Sequence, residues 1–250
     1  MDFKEEVRYG LNSYPKLKQL LDAKMKLVQE KNHEPIVHEV PCLKSLDFLQ
    51  FSDIKFDVML LKISDWSLDS LQNSLRFDLI SDSPSFIVLG CGNSKLTLGR
   101  KLLRDWGFRR AEDIVHLQKS KKPFQKSLFK GSKEHWLMGI KGTIRRNLDG
   151  HFINSNLDTD VIVTENHQEI PQELFHIMER LCLGRKRMFL TFKDQEMDQQ
   201  MPGWVHVKET PGSLEKEFDA KSYATKVKDR YIGTNDEIEN LRPKSPSNKK

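Results

Sequence analysis

The chain holds 250 residues, enough for one large α/β domain with extensions. Its charged fraction of 31% and net charge of +5 fit polar extensions around an ordinary core, and permit a nucleic-acid partner without demanding one. No apolar run approaches the ~18 residues of a membrane span, the first ten residues lack a signal-peptide apolar region, and three scattered cysteines without a CxxC pair point away from zinc or disulfide frameworks and toward a reducing compartment.

In chain order, Pro15–Lys31 places apolar residues at 17, 20, 21 and 25, with Leu27 and Val28 close by. This is helical spacing, with Pro15 in the first turn and lysines on the other face. A loop with Pro35 and Pro41 is expected next, then a buried strand over 56–61, FDVMLL. A helix is predicted over 66–79, capped by Ser64 or Asp65. Pro84 is expected to break the chain before a second buried strand over 85–92. Apolar positions 96, 98, 102, 103 and 106, closed by Gly107, predict another helix, and residues 113–117 another strand. Strand alternating with helix implies a mostly parallel sheet with crossover helices.

Residues 120–133 form a basic, turn-rich loop with Phe124 and Phe129 interleaved. In 129–165, two buried-type strands bracket the glycine-and-arginine segment Lys141-Gly142-Thr143-Ile144-Arg145-Arg146, the pattern of a sheet edge that presents positive charge to a partner. Beyond it, a helix over 171–182 and strands over 188–192 and 204–207 are predicted. From about Gly212 the chain turns polar, and its end, LRPKSPSNKK, reads as disordered or surface-draped. The implied division is an N-terminal helical extension (1–34), a central domain (35–211) and a polar C-terminal extension and tail (212–250).

Gly90-Cys91-Gly92-Asn93 follows a strand but lacks the third glycine and the spaced acid of a dinucleotide fingerprint, so a tight turn is the better reading. The eight histidines show no HExxH spacing, and no G-x-S-x-G elbow exists; neither a metal site nor hydrolysis is indicated. Basic residues cluster at Arg109-Arg110, at 119–133 and at 141–146, interleaved with Phe108, Phe124 and Phe129. Cations converging on one sheet end would neutralise phosphates, and aromatics could stack on bases.

The runs GRKLLRDWGFRRAEDIVHLQKS, KEHWLMGIKGTIRRNLDGHFINSNLDTDVIVTE, ELFHIMERLCLGRKR, PGW and EIENLRPKSP together resemble the MT-A family of eukaryotic N6-adenine methyltransferases. Within that family the chain is similar to the non-catalytic branch, which pairs with the active subunit of the mRNA adenosine methyltransferase heterodimer. The resemblance spans most of the chain and implies an α/β, Rossmann-like class I methyltransferase fold, with a mostly parallel central sheet and flanking helices.

Active members of the family carry Asp-Pro-Pro-Trp after the strand matching 56–61, where acid and carbonyl hold the adenine amine in line with the methyl group of S-adenosylmethionine. Here the matching residues are Lys62, Ile63, Ser64 and Asp65. A lysine replaces the acceptor, both prolines are gone, and the family's long loop after this motif is missing. The family's Phe-Gly-Arg turn is replaced by Thr191-Phe192-Lys193, which puts a side chain where backbone must approach a ligand. These departures imply no catalysis and no cofactor bound by this chain, with S-adenosylmethionine used by the partner subunit.

By the same resemblance, nucleic acid would be held by Arg109, Arg110, Lys122, Lys126, Lys133, Arg145 and Arg146. The catalytic subunit would dock on Phe124, Phe129, His135, Trp136, Met138 and Ile140. The expected function is that of a pseudo-methyltransferase subunit of a nuclear N6-adenine methyltransferase complex. DNA is favoured over RNA, because the long Arg-Gly-Gly tail of the mRNA-type partner is missing and the pseudo-active site is eroded. Further DNA-binding subunits fit that reading. The alternatives are an mRNA adenosine methyltransferase partner, a self-sufficient S-adenosylmethionine-dependent enzyme with a divergent site, and a nucleic-acid-binding adaptor.

Overall fold

The computed structural model describes residues 15–63, 74–92, 95–118, 133–143, 159–164, 170–182, 186–193, 195, 197, 200–214, 216–228 and 234–242. Among the described residues, eight strands form one sheet: β1 Ile36–Val40, β2 Phe56–Lys62, β3 Ser81–Cys91, β4 Arg109–Gln118, β5 Lys133–Lys141, β6 Val161–Thr164, β7 Arg187–Thr191 and β8 Trp204–Glu209. Their spatial order is β1-β8-β7-β2-β3-β5-β4-β6. β5 alone runs against the others, pairing antiparallel with β3 on one side and β4 on the other.

The helices follow from the same alternation: α1 Pro15–Lys31, α2 Phe77–Ile80, α3 Leu96–Asp105, α4 Gln172–Leu181, α5 Ala220–Lys228 and α6 Asp236–Leu241. Among the described residues no helix is long and apolar enough to cross a membrane. Both faces of the central strands are covered, so those strands read as continuous apolar runs rather than alternating ones. On one face Met59, Leu61, Ile87, Leu89, Leu137 and Leu190 pack with Leu102 and Leu103 of α3. On the other, Val58, Leu60, Phe86, Val88, Trp136 and Phe189 pack with Leu174, Phe175 and Met178 of α4.

The end of α3 follows from its sequence. Gly107 takes φ +82°, the left-handed conformation that a side chain disfavours. Its N–H donates to Arg104 O at 3.0 Å, and the Phe108 N–H to Leu103 O at 2.8 Å, the paired bonds of a glycine-terminated helix.

Four expectations are corrected. The stretch between Pro35 and Pro41 is not only loop: it contains β1, which pairs parallel with β8. Pro84 does not precede its strand but lies within β3, where the register against β2 shifts between Phe56 and Val58, and an irregular position tolerates a residue without an N–H. Among the described residues of 129–165, only β6 is a sheet edge, because β5 is buried in the sheet's interior between β3 and β4. The polar segment after Gly212 carries two helices with apolar anchors: Tyr223 of α5 enters the core beside Phe51, Phe56 and Phe218. Ile238 of α6 packs on Leu20, Ala23, Leu27 and Val28 of α1. The predicted helix over 66–79 falls mostly outside the described residues.

Candidate functional site

Ligands of open α/β sheets sit beyond the carboxyl ends of the parallel strands. At that end here, Lys62 closes β2. Its Nζ lies 3.1 Å from Glu134 Oε2 and 3.4 Å from Oε1, with the two side chains only 14% and 11% exposed. Gln195 covers the neighbouring backbone: its Nε2 donates to Lys62 O at 3.0 Å, while its Oε1 accepts from the Phe192 N–H at 3.1 Å. Glu209, also buried, accepts from the Lys193 N–H at 3.1 Å and the Leu43 N–H at 3.2 Å. The backbone donors that end β7 are thus taken by the chain's own side chains.

These residues do not fit S-adenosylmethionine. A ligand seated on the ends of β2 and β7 would meet a partly buried ammonium paired with Glu134 rather than an open hydrogen-bond acceptor, and would have to displace Gln195 from two backbone groups. Ser64 and Asp65, the rest of the degenerate motif, lie outside the described residues, and Ile63 is buried, its N–H donating to Gly90 O at 2.8 Å. Among the described residues no His, Cys, Asp and Glu side chains gather into a group able to hold a metal ion.

A second feature is electrostatic. An open concavity of about 710 Å³ is lined by Thr97, Arg100 and Arg104 of α3, by Gly107 and Phe108, and by Arg109 and Arg110 of β4. All four arginines are exposed. Local geometry converges them. Arg100 and Arg104 are four apart and share one face of α3, and the tight Gly107 turn returns the chain beside that face. The β4–β5 register then shifts between Arg110 and Glu112, a bulge that re-aims strand side chains. Gly139 of β5, opposite Arg110, leaves room for Leu103 and Phe108, since a Cβ there would come within 2.9 Å of Leu103 Cδ2.

Of the residues expected to hold nucleic acid, Arg109 and Arg110 fall in this concavity, and Lys133 is exposed at the start of β5. Lys122, Lys126, Arg145 and Arg146 lie outside the described residues, as do Phe124 and Phe129 of the expected docking surface. Arg100 and Arg104 were missed, although their spacing on a helix that turns back at Gly107 was the available signal. Glu134, Gln195 and Glu209 had no local signal at all.

Of the expected docking residues, Trp136 needs correction. It has no exposed surface, and its indole lies over Gly90, where a Cβ would come within 2.7 Å of the ring. A side chain consumed by the core cannot meet a partner. His135 is half-buried, its Nδ1 3.0 Å from Asp113 Oδ1, while Met138 and Ile140 are partly exposed at the margin of the core.

Residues 55–207 match the MT-A70 family model. The chain is 37% identical over 266 aligned residues to the N(6)-adenosine-methyltransferase non-catalytic subunit METTL14 of Drosophila melanogaster, covering 93% of this chain and 65% of that protein. It is 36% identical over 185 residues to the N6-adenosine-methyltransferase non-catalytic subunit MTB of Arabidopsis thaliana, covering 62% of this chain and 23% of that protein. It is 28% identical over 269 residues to the karyogamy protein KAR4 of Saccharomyces cerevisiae, covering 96% of this chain and 78% of that protein. The chain therefore spans less than two thirds of the length of the METTL14 and MTB relatives. With a family match over most of the sheet and a doubly covered, mostly parallel architecture beneath it, the chain belongs to the MT-A70 family.

Proposed function

We propose that this chain is the non-catalytic subunit of an N6-adenosine methyltransferase complex, and that the substrate is RNA. It pairs with a catalytic MT-A70 subunit, which binds S-adenosylmethionine and transfers the methyl group. This chain contributes fold, docking surface and phosphate contacts. The observation that carries the reading is the Lys62–Glu134 ion pair at the ends of the central strands, where a methyltransferase needs an acceptor and open backbone. Relatives named as non-catalytic subunits, at 35–37% identity over 93% of the chain, support it.

The preference for DNA drawn from the sequence gives way here. The relatives' names specify adenosine, the ribonucleoside, and erosion of a site that performs no chemistry carries no information about the sugar of the substrate. In this reading Arg100, Arg104, Arg109 and Arg110 contact phosphates irrespective of sequence. Lys133, at the opposite end of β5 from these arginines, and Lys122, Lys126, Arg145 and Arg146 are the further phosphate contacts of this reading. His135, Met138 and Ile140, with Phe124 and Phe129, face the catalytic subunit, and the complex works in the nucleus.

Reconstitution tests this. The chain and a catalytic MT-A70 subunit, alone and together, are assayed for methyl transfer to matched RNA and DNA oligonucleotides. Activity should require both chains and favour RNA, and calorimetry on the isolated chain should register no S-adenosylmethionine binding. Methyl transfer by this chain alone, or no gain on mixing, would overturn the reading.

A further inference from the structure

Helix α5 carries a basic face that its packing does not use. One side of the helix is its anchor: Tyr223 is 1% exposed, and Ala220 and Val227 pack on the same core. Lys221, Ala224, Thr225 and Lys228, spaced i, i+3, i+4 and i+7, share another side, and all four are exposed. Only small side chains separate the two cations, and the Thr225 hydroxyl is turned back to donate to Lys221 O at 3.0 Å.

Lys221 runs against the local rules of a helix. It lies in the first turn, which holds no acidic residue, where the helix dipole disfavours a cation. Asp219, just before the helix, accepts from the Ser222 N–H at 2.9 Å and so caps the backbone. Lys228, in the last turn, suits the dipole, but neither lysine is neutralised. Arg76, Lys101 and Arg242 pair with Asp78, Asp105 and Glu239, whereas among the described residues Lys221 and Lys228 meet no carboxylate.

The place of α5 in the fold relates it to the arginine concavity. α5 and α3 cover the same sheet face, since Tyr223, Leu102 and Leu103 belong to one core. They also stand near the same end of the sheet. Tyr223 meets Phe56, the first residue of β2, with ring centroids 5.9 Å apart. Arg109 lies opposite Ile140, Ile140 opposite Phe86, and Phe86 opposite Val58, two residues further along β2. From β4 to β2 is three strand spacings, about 15 Å. That is the length of about four to five stacked nucleotides at about 3.4 Å each.

We propose that the Lys221–Lys228 face of α5 is a second phosphate-contact surface, which grips the same nucleic-acid strand that the four arginines hold. Two point charges flanking Ala224 and Thr225 let a backbone lie close to the helix and be bound irrespective of sequence. The inference rests on the proposed function as a nucleic-acid-binding subunit.

The complex of the full chain with a catalytic MT-A70 subunit is titrated with single-stranded RNA of about 20 nucleotides across a salt series. Lys221→Glu with Lys228→Glu should weaken binding about tenfold at low salt and lower the slope of log affinity against log salt by about 1.4, for two lost phosphates. Lys16→Glu with Lys18→Glu makes the same change of net charge on exposed residues of α1, which meets α4 through Met25 and Arg180 on the other side of the sheet. That control should stay within about twofold of wild type, because screening confines the effect of a surface charge to its neighbourhood. Affinity for the catalytic subunit should not change. Lys221→Glu alone places an anion in the first turn, which favours the helix, and should retain about half of the loss in log affinity. Wild-type affinity for RNA in the α5 variant overturns the proposal, as does an equal loss in the α1 control. Weakened assembly overturns it too, by assigning the lysines to a protein surface. If the wild-type complex binds no RNA, the proposed function falls instead.

Discussion

Arg187 Nη1 donates to Asn32 Oδ1 across 3.0 Å, fastening the first residue of β7 to the residue that follows α1. Arg187 is 1% exposed, and its Nη2 donates to Cys182 O at 3.2 Å. Gly203, at φ +79°, allows the contact, because a Cβ there would collide with Asn32 Oδ1. Asn32→Ala removes an acceptor from a buried cation and should cost about 2–3 kcal/mol of stability. Urea denaturation measures it; a midpoint like that of the wild type would show that Arg187 draws its support elsewhere.

On the proposed function, the four-arginine concavity predicts a salt-sensitive loss of nucleic-acid binding. Arg100→Glu with Arg104→Glu should weaken RNA binding by the reconstituted complex at least tenfold at low salt, and reduce the slope of log affinity against log salt by about one per lost contact. Subunit assembly and Tm should not change, since both residues are exposed and the stability effect should stay within about 0.5 kcal/mol. Filter binding across a salt series, beside gel filtration of the complex, reads both.

Gly99 of α3 lies against Cys91 of β3, where a Cβ would collide with Cys91 Sγ. Burial, with Asp113 second, pushes the Cys91 thiol up to about 12, so it packs there as a neutral group. Gly99→Ala alone should destabilise by about 1–3 kcal/mol through overpacking. In a Cys91→Ala background the same change should recover up to about 1 kcal/mol, the helix preference of alanine over glycine. A double-mutant cycle by thermal melting tests this, and additive effects would refute the contact.

Stability should fall on mild acidification. His206 is stacked on Phe189 with ring centroids 4.1 Å apart, and its Nε2 lies 2.7 Å from Thr191 Oγ1. Burial, then Lys208, lowers its pKa from 6.5 to about 4. His38, edge-on to Phe51 and Phe218, is lowered by burial too. Both pKa values are depressed in the fold, so the unfolded chain takes up protons that the folded chain refuses. The stability present above pH 6.5 is lost as pH falls toward 4, by about 3 kcal/mol for His206 alone. His206→Gln should flatten that part of the pH–stability curve, and an unchanged slope would assign it to other groups.

Much of this architecture can be read from the chain before its coordinates. β2 and β7 announce themselves as short unbroken apolar runs, and α3 as a helix whose Gly107 has one conformational use. β1 does not, because IVHEV takes its strand character from pairing with β8, a partner far along the chain. α5 and α6 hide in a polar tail because each is held by one large apolar residue, Tyr223 and Ile238, too few to make a periodic pattern. At the site, the loss of the acceptor at Lys62 is plain in sequence. Its pairing with Glu134, 72 residues away, is not, since only the antiparallel insertion of β5 brings the two together. The same holds for Arg100 and Arg104, which join Arg109 and Arg110 only once the chain has turned at Gly107.

The antiparallel insertion of β5 has a mechanical side. In the backbone hydrogen bonds of the described residues, β4 and β6 are attached to the rest of the sheet through β5 alone. That strand is the one bridge between the arginines of β4 and the parallel body of the described sheet. Any strain that loosens the pairing of β5 is therefore felt at once by β4, β6 and the arginines that β4 carries.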